Sequence, residues 1–192
     1  MQTPERRRCG WPRGELMTAY HDEEWGRPCH DDGKLYEMLF LEGFQAGLSW
    51  LIVLSKREAF RAAFSGFDPV KIAAYGEEDV ARLLAAEGII RNRLKIRGTI
   101  TNARVFLDIQ KEFGSFDAYL LRFIPNGPVI NDIGDVKDIP VSSPLSDAVS
   151  ADLRKRGMKF VGTVTIYSYL QSVGIVIDHE RDCFVMEELA IR

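Results

Sequence analysis

The sequence predicts an all-α protein, and three observations carry that prediction. Apolar residues recur at helical spacing in several segments, such as Val80, Leu83 and Leu84, or Ile96, Ile100, Ala103 and Leu107. Cap and stop residues bracket those segments: Asp68-Pro69 and Ser115 at starts, Gly88, Gly157 and Gly174 at ends. No stretch shows the polar–apolar alternation of a strand over a useful length. The expected architecture is a core of about eight to ten short helices.

In chain order, Cys9-Gly10-Trp11 opens a loop with Pro12 and Gly14, and Leu16 to Tyr20 leads into a turn at His21 to Gly26. Arg27 to Gly33 is a loop by composition, and Asp32 caps a helix from about Lys34 to Glu42. A second helix runs from about Ser49 to Phe64. Asp68 caps a short helix begun by Pro69 and ending near Tyr75. Glu77 to Ala86 is amphipathic and stops at Gly88. Ile89 to Glu112 reads as one long helix with Gly98 as its weak spot, and Ser115 caps Phe116 to Phe123. Pro125 to Val141 is irregular. Ser146 caps a helix to Arg156, and Val161 to Val173 is a last apolar helix ending at Gly174. The tail carries His179 and Cys183.

A chain of 192 residues suits one domain, spanning 1–192, with a helical core over about 34–174. With 46% hydrophobic and 28% charged residues it has an ordinary globular composition, and no apolar run reaches membrane-span length. Met1 to Arg8 is polar and basic without an apolar segment, so a cytoplasmic protein with no membrane partner is expected. The net charge of −3 argues against a protein that coats nucleic acid electrostatically, but not against a local basic face. Two clusters offer one: Arg91, Arg93, Lys95 and Arg97; and Arg154, Lys155, Arg156 and Lys159. Each also reads as a solvated helix face. Nothing in the sequence calls for an oligomer, and a monomer is expected.

Glu42 stands out because it lies between two apolar stretches, Leu35 to Phe40 and Trp50 to Val53, at the edge of a core. Buried glutamates are rare unless paired or functional. Gly43 and Gly47 leave space for a planar group to approach the backbone. The plain alternative is a residue that ends a helix.

Three cysteines do not make a disulfide scaffold. Cys9 and His21 near one end, with His179 and Cys183 near the other, form a set suited to one tetrahedral zinc ion. Such a site would join the segments at about 9–26 and 175–185, which otherwise fray. Having no open position, it would be structural. The competing reading is four incidental residues. Cys29 and His30 are adjacent in an exposed-looking loop and are left out of the set.

Lys155 to Thr163 joins two expected helices through Gly157 and Gly162. A glycine-bounded hairpin opening a helix presents backbone N–H groups to phosphate and grips a DNA backbone without reading its sequence. A simple glycine-capped turn is the alternative.

These motifs together resemble the DNA-3-methyladenine glycosylase I family, within the helix-hairpin-helix DNA glycosylases. The resemblance rests on Cys9-Gly10-Trp11, on Ala19-Tyr20-His21-Asp22 followed by Glu24-Trp25-Gly26, and on Leu41-Glu42-Gly43 with Gln45 to Trp50. It continues through Phe67 to Lys71, Gly88 to Arg93, Lys155 to Thr163, and Asp178-His179 with Cys183. It covers nearly the whole chain. It implies structural zinc on Cys9, His21, His179 and Cys183, and a base pocket of Trp11, Tyr20, Glu42 and Trp50. It implies DNA anchoring by the hairpin, with Gly157, Lys159, Gly162 and Thr163 at the backbone and Leu48 as a wedge in the duplex. The Cys9–His21 loop is one residue shorter than expected, Met17 stands where an aromatic is expected, and the tail lacks the further cysteines of some members.

The implied activity is hydrolysis of the N-glycosidic bond of 3-methyladenine in alkylated double-stranded DNA, releasing the free base. N3 methylation leaves the purine cationic and its bond weakened, so the enzyme's main task is to extract and hold the base. Trp11 and Trp50 would face the cationic ring, Glu42 would accept its hydrogen bonds, and Tyr20 would meet its edge. Strand-cleaving members of the superfamily use a lysine just after the hairpin. None occurs between Phe160 and Arg181, so a monofunctional enzyme is expected. Asp178 is expected to orient His179. The alternatives are a zinc-stapled DNA-binding module without activity, and a zinc hydrolase with Glu42 as general base.

Overall fold

A computed structural model describes residues 6–190, so Met1 to Glu5 of the polar N-terminal stretch lie outside the described residues. Among these residues there are eleven α-helices. They are α1 (Gly14–Glu23), α2 (Asp32–Gln45), α3 (Trp50–Leu54), α4 (Arg57–Ala63), α5 (Pro69–Ala73), α6 (Glu77–Ala85) and α7 (Arg93–Phe113). α8 (Phe116–Leu121), α9 (Pro144–Lys155), α10 (Thr163–Ser172) and α11 (Phe184–Ala190) complete the set. None is long and apolar enough to cross a membrane.

The expected absence of strands needs a correction. Two two-residue strands, β1 (Val129–Ile130) and β2 (Val176–Ile177), pair in parallel with Val129 opposite Val176. They are too short to show alternation. Their pairing ties the irregular segment 125–141 to the tail, and an isolated bridge from Ile133 to Glu180 extends it.

α2 is buried almost all round: Leu35, Tyr36, Met38, Leu39, Phe40, Leu41 and Phe44 are all in the core. A helix apolar on every face belongs at the centre, and α3, α7, α8 and α10 pack around it. Phe40 meets Phe64 at 4.7 Å and Phe44 meets Phe60 at 4.6 Å between ring centroids. Truncating such a residue costs about 3–5 kcal/mol.

Several boundaries differ from expectation for identifiable reasons. Asp31, not Asp32, caps α2, accepting from the Lys34 N–H at 2.8 Å. Asp32 instead caps α8 across space, accepting from the N–H groups of Phe116 (2.8 Å) and Asp117 (2.9 Å). The single helix expected over 49–64 breaks at Ser55, whose hydroxyl donates back to the Ile52 carbonyl at 3.0 Å. α7 starts at Arg93 because Asn92 accepts from the N–H groups of Leu94 and Lys95. Ser143 caps α9, and Ser146 is its reciprocal capping partner. The turn expected at His21 is helical through Glu23, and α11 occupies the tail, for which no helix is expected from the sequence.

Candidate functional site: an aromatic pocket beside a Cys and His cluster

Glu42 lies in the last turn of α2, 3% exposed, with α1 and α3 bringing Tyr20 and Trp50 beside it. A cavity of about 310 Å³ opens there, walled by Trp11, Met17, Tyr20, Trp25, Glu42 and Trp50. That is the lower end of the range for small-ligand pockets. Tyr20 and Trp50 stand 5.3 Å apart, and Trp11 lies 6.4 Å from Tyr20. The structure therefore brings all four expected pocket residues together, and Met17 does take part of one wall.

The electrostatics of the cavity are unusual. Burial alone pushes the Glu42 carboxyl up to about 8, and its Oε2 has no hydrogen-bond partner. The indole N–H groups of Trp11 and Trp50 are likewise buried without partners. A buried unsatisfied polar atom costs about 1–3 kcal/mol, and three converge on one cavity. Burial, then the nearby Glu42, raises the Tyr20 hydroxyl well above its ordinary value, so it stays a phenol. Among aromatic faces the cavity's residues thus carry one unpartnered carboxyl oxygen and two unpartnered indole N–H groups, which suits a planar group that bears positive charge, N–H donors and ring acceptors.

Sequence reasoning missed other lining residues. Gln45, Ser168 and Gln171 contribute polar groups, and Val136 and Ile139 close the cavity from the irregular segment. Ser168 and Gln171 lie three apart on α10, a polar pair at helical spacing that could have flagged them. A second cavity of about 220 Å³ shares Glu42 and Gln45 with the first and runs out past Gly47, Leu48, Val164 and Thr165. Glu42 therefore stands between an aromatic chamber and an opening to the surface.

Cys9, His21, His179 and Cys183 are all buried, and their ligand atoms lie within 4.8 Å of one another. The Cys9 and Cys183 Sγ atoms are each 3.5 Å from His179 Nδ1, and Cys183 Sγ is 3.5 Å from His21 Nε2. A tetrahedron with metal–sulfur bonds of about 2.3 Å and metal–nitrogen bonds of about 2.0–2.1 Å has S···N edges of about 3.5 Å. The donor set fits a closed N₂S₂ metal site. Cys29 and His30 stand outside it, with His30 bonded to Asp117.

The surroundings fix the ring orientations. His21 Nδ1 is 2.8 Å from Asp22 Oδ1, and His179 Nε2 lies 2.9 Å from the Trp25 carbonyl, leaving the other nitrogen of each facing the cluster. The Glu180 N–H donates to Cys9 Sγ at 3.2 Å. The expected role of Asp178 is corrected. Its carboxylate accepts from Asn131 (2.6 Å), the Tyr167 hydroxyl (2.7 Å) and Gln171 (2.7 Å), not from His179. Asp178, which follows β2 and points toward α10, orients a pocket-lining glutamine, while Asp22 orients His21 and the Trp25 carbonyl orients His179.

Pocket and cluster share residues in sequence and in space. Trp11 follows Cys9 by two positions and its ring lies 5.3 Å from His21; Tyr20 precedes His21. Gly26, at φ 71°, lies so close to His179 that an added Cβ would sit 2.6 Å from Nε2. Gly26→Ala is therefore expected to displace His179 and destabilise the protein by about 2 kcal/mol or more, through strain and lost ring position. Chemical denaturation checks this, as the loss should exceed that of an alanine at exposed, open Gly47.

The hairpin residues are also placed. Gly157 turns the chain at φ 104°, Lys159 is exposed, and exposed Gly162 is the N-cap of α10. The Thr163 hydroxyl is engaged by Ser146 at 2.8 Å, so only its backbone is available outward. Leu48 is 37% exposed and is not a core leucine. Of the basic clusters, Lys95 is buried, Arg97 pairs with Glu77, and Arg156 pairs with Glu112 and Asp152.

Comparison with known proteins shows the family. The chain is 49% identical over 177 residues to DNA-3-methyladenine glycosylase 1 of Escherichia coli, covering 92% of this chain and 95% of that one. It is 41% identical to DNA-3-methyladenine glycosylase of Haemophilus influenzae, covering 92% and 96%. A crystal structure of 3-methyladenine DNA glycosylase I superposes with a TM-score of 0.89 at 50% identity, over 93% of this chain and 98% of that one. A Staphylococcus aureus structure described as the basis of 3-methyladenine recognition gives 0.86 at 33% identity, over 89% and 91%. The Methyladenine glycosylase family profile matches residues 11–186, and the chain belongs to that family.

Proposed function

We propose that this protein is a DNA repair glycosylase that hydrolyses the N-glycosidic bond of 3-methyladenine in alkylated DNA. The observation that carries this reading is the unpartnered, buried Glu42 carboxyl facing a chamber of Trp11, Tyr20 and Trp50. A cationic 3-methylpurine supplies what the chamber lacks. Its charge stabilises the Glu42 carboxylate, its N–H groups donate to Oε2, and its ring stacks on the indoles. Neutral adenine gains less from each, so selectivity follows from charge and shape.

The base reaches this chamber only when rotated out of the helix. The second cavity, past Gln45 and Leu48, is the route we assign to the attached sugar, with exposed Leu48 filling the gap in the duplex. The hairpin with Gly157, Lys159, Gly162 and the Thr163 backbone acts as a helix-hairpin-helix anchor on phosphate. With no lysine after the hairpin, the attacking group is water and the strand is left intact. Cys9, His21, His179 and Cys183 would hold one structural zinc ion; when bound, it staples the two ends of the chain and supplies no open position for chemistry. The chain works as one domain over 1–192 and as a monomer, in the cytoplasm where its DNA substrate lies.

Binding of the free base tests the pocket directly. Quenching of tryptophan fluorescence by 3-methyladenine is expected for the wild type, with adenine binding far more weakly. Trp50→Ala should weaken 3-methyladenine by roughly one to two orders of magnitude, given the worth of one base–aromatic stack. Equal affinity for adenine and 3-methyladenine would overturn the reading.

A further inference from the structure

We infer that Lys95 and Asn102, both on α7, are positioning residues that hold the Leu48 tip and the Lys159 hairpin in fixed register for one duplex; this rests on the glycosylase reading above. The two residues lie seven apart, hence on one helix face and about 10 Å apart along the axis. Each reaches out of α7 to the main chain of a different exposed loop.

Lys95 is buried, and its Nζ donates to the carbonyls of Phe44 and Ala46, both at 2.7 Å. Those carbonyls are orphans of the α2 C-terminus, where a cation is favoured. They flank Gln45 of the cavity and lead directly into Gly47 and Leu48. Burial lowers the lysine's affinity for its proton, and no carboxylate offsets that among the described residues. Lys95 is thus a buried ammonium held by main-chain carbonyls alone, a costly placement that ties α7 to the turn carrying Leu48.

Asn102 makes the matching contact with the hairpin. Its Oδ1 accepts from the Lys159 N–H at 2.7 Å, and its Nδ2 donates to the Lys159 carbonyl at 2.9 Å. Between the two clamps lies Phe160. Its backbone is left-handed at φ 57°, unusual for an aromatic residue. Its ring lies against Gly98 of α7, where a Cβ would come within 2.9 Å, and a Cβ on Gly43 of α2 would come within 3.9 Å of its own. The hairpin is thus wedged between the helix that carries Glu42 and the helix that carries both clamps. Strain of this kind persists where the surroundings over-determine it.

A positioning role separates from a general structural one by which ligand suffers. The base chamber is walled by residues of α1, α2, α3, α10 and the segment at 136–139, whereas Lys95 and Asn102 bond only the main chain of Phe44, Ala46 and Lys159; the duplex needs both loops at once. We would measure the affinity of wild type, K95M, K95R, N102A and N102D for free 3-methyladenine and for a duplex with an abasic-site analogue. K95M and N102A are expected to bind the duplex on the order of tenfold more weakly, the loss of about one good hydrogen-bonded clamp. Free base binding should stay within about twofold, and K95R should recover most of the duplex affinity because charge and donors return. If K95M or N102A fails to fold, K95R and N102D carry the test; N102D keeps the acceptor but sets a carboxylate against the Lys159 carbonyl, and its duplex binding should fall selectively. Duplex affinity unchanged in folded variants, or free-base affinity falling in parallel, would overturn the strut. A wild type that binds no abasic duplex would instead overturn the glycosylase reading itself.

Discussion

Glu42→Gln is expected to lower the release of 3-methyladenine from DNA by roughly 10²–10³-fold, the usual cost of removing one preorganised charge from an active site, while making the protein more stable. The activity falls because a neutral amide cannot balance the cationic ring. The stability rises because the wild-type carboxyl is buried with an unpartnered oxygen and is pushed up to about 8 by burial. The sign follows from proton counting. Between about pH 4.5 and 8 the folded state holds a proton that the unfolded state has released, so wild-type stability falls as pH rises through that window. The glutamine variant lacks that slope. Its advantage should be small near pH 4.5 and should reach a few kcal/mol by pH 8, the scale of a shift of this size. Denaturation curves at several pH values, alongside single-turnover assays, check both halves. Binding of the base in its cationic form, as it stands in the nucleotide before cleavage or as the protonated free base, should reverse the trend by drawing Glu42 to its carboxylate.

Metal removal is the second large effect. Stripping the ion with a strong chelator, or Cys183→Ser, is expected to lower the Tm by about 10 °C or more. Structural zinc is worth about 10–16 kcal/mol in isolated fingers, and each 1 kcal/mol shifts Tm by about 2–4 °C at this chain length. Part of the closure survives in the polypeptide. The Phe184 N–H donates to the Arg7 carbonyl at 2.9 Å and Arg27 pairs with Glu188 at 2.7 Å, so the stripped protein should keep most of its helix. What it should lose first is base binding. Trp11 packs on His21 and on Trp25, and Trp25 packs on His179 at 4.6 Å between centroids. The wall of the base chamber is thereby built on the Cys and His cluster. Calorimetry and 3-methyladenine titration of the stripped protein should show both losses together. Activity lost with Tm unchanged would favour a catalytic metal.

The fold was legible where a short-range signal determined it. Asp68-Pro69 and Ser115 cap the helices their chemistry specifies, and the apolar saturation around Glu42 marked the central helix. Long-range contacts were not legible. Asp31 and Asp32 are chemically equal neighbours, and only the fold sends one to α2 and the other to α8. Lys95 looked like a member of a basic helix face, because spacing cannot show that α2 ends against it. The β1–β2 pair joins segments 47 residues apart in register and carries no periodicity. For the site, Cys, His and Trp are rare enough to be noticed one at a time, Glu42 is noticed for its apolar surroundings, and their joint meaning came from resemblance. Ser168, Gln171 and the orienting role of Asp22 are ordinary residues whose importance lies in what they face.

Glu42 and its aromatic walls are expected to select and release one alkylated base. The most direct test is to incubate the zinc-loaded protein with methylated duplex DNA and resolve the released bases by chromatography. Selective release of 3-methyladenine with no strand cleavage is the expected result, abolished by Glu42→Ala in a protein that remains folded. Folded, metal-loaded wild type that binds the duplex yet releases no base would contradict it and leave a zinc-stapled DNA-binding module in its place.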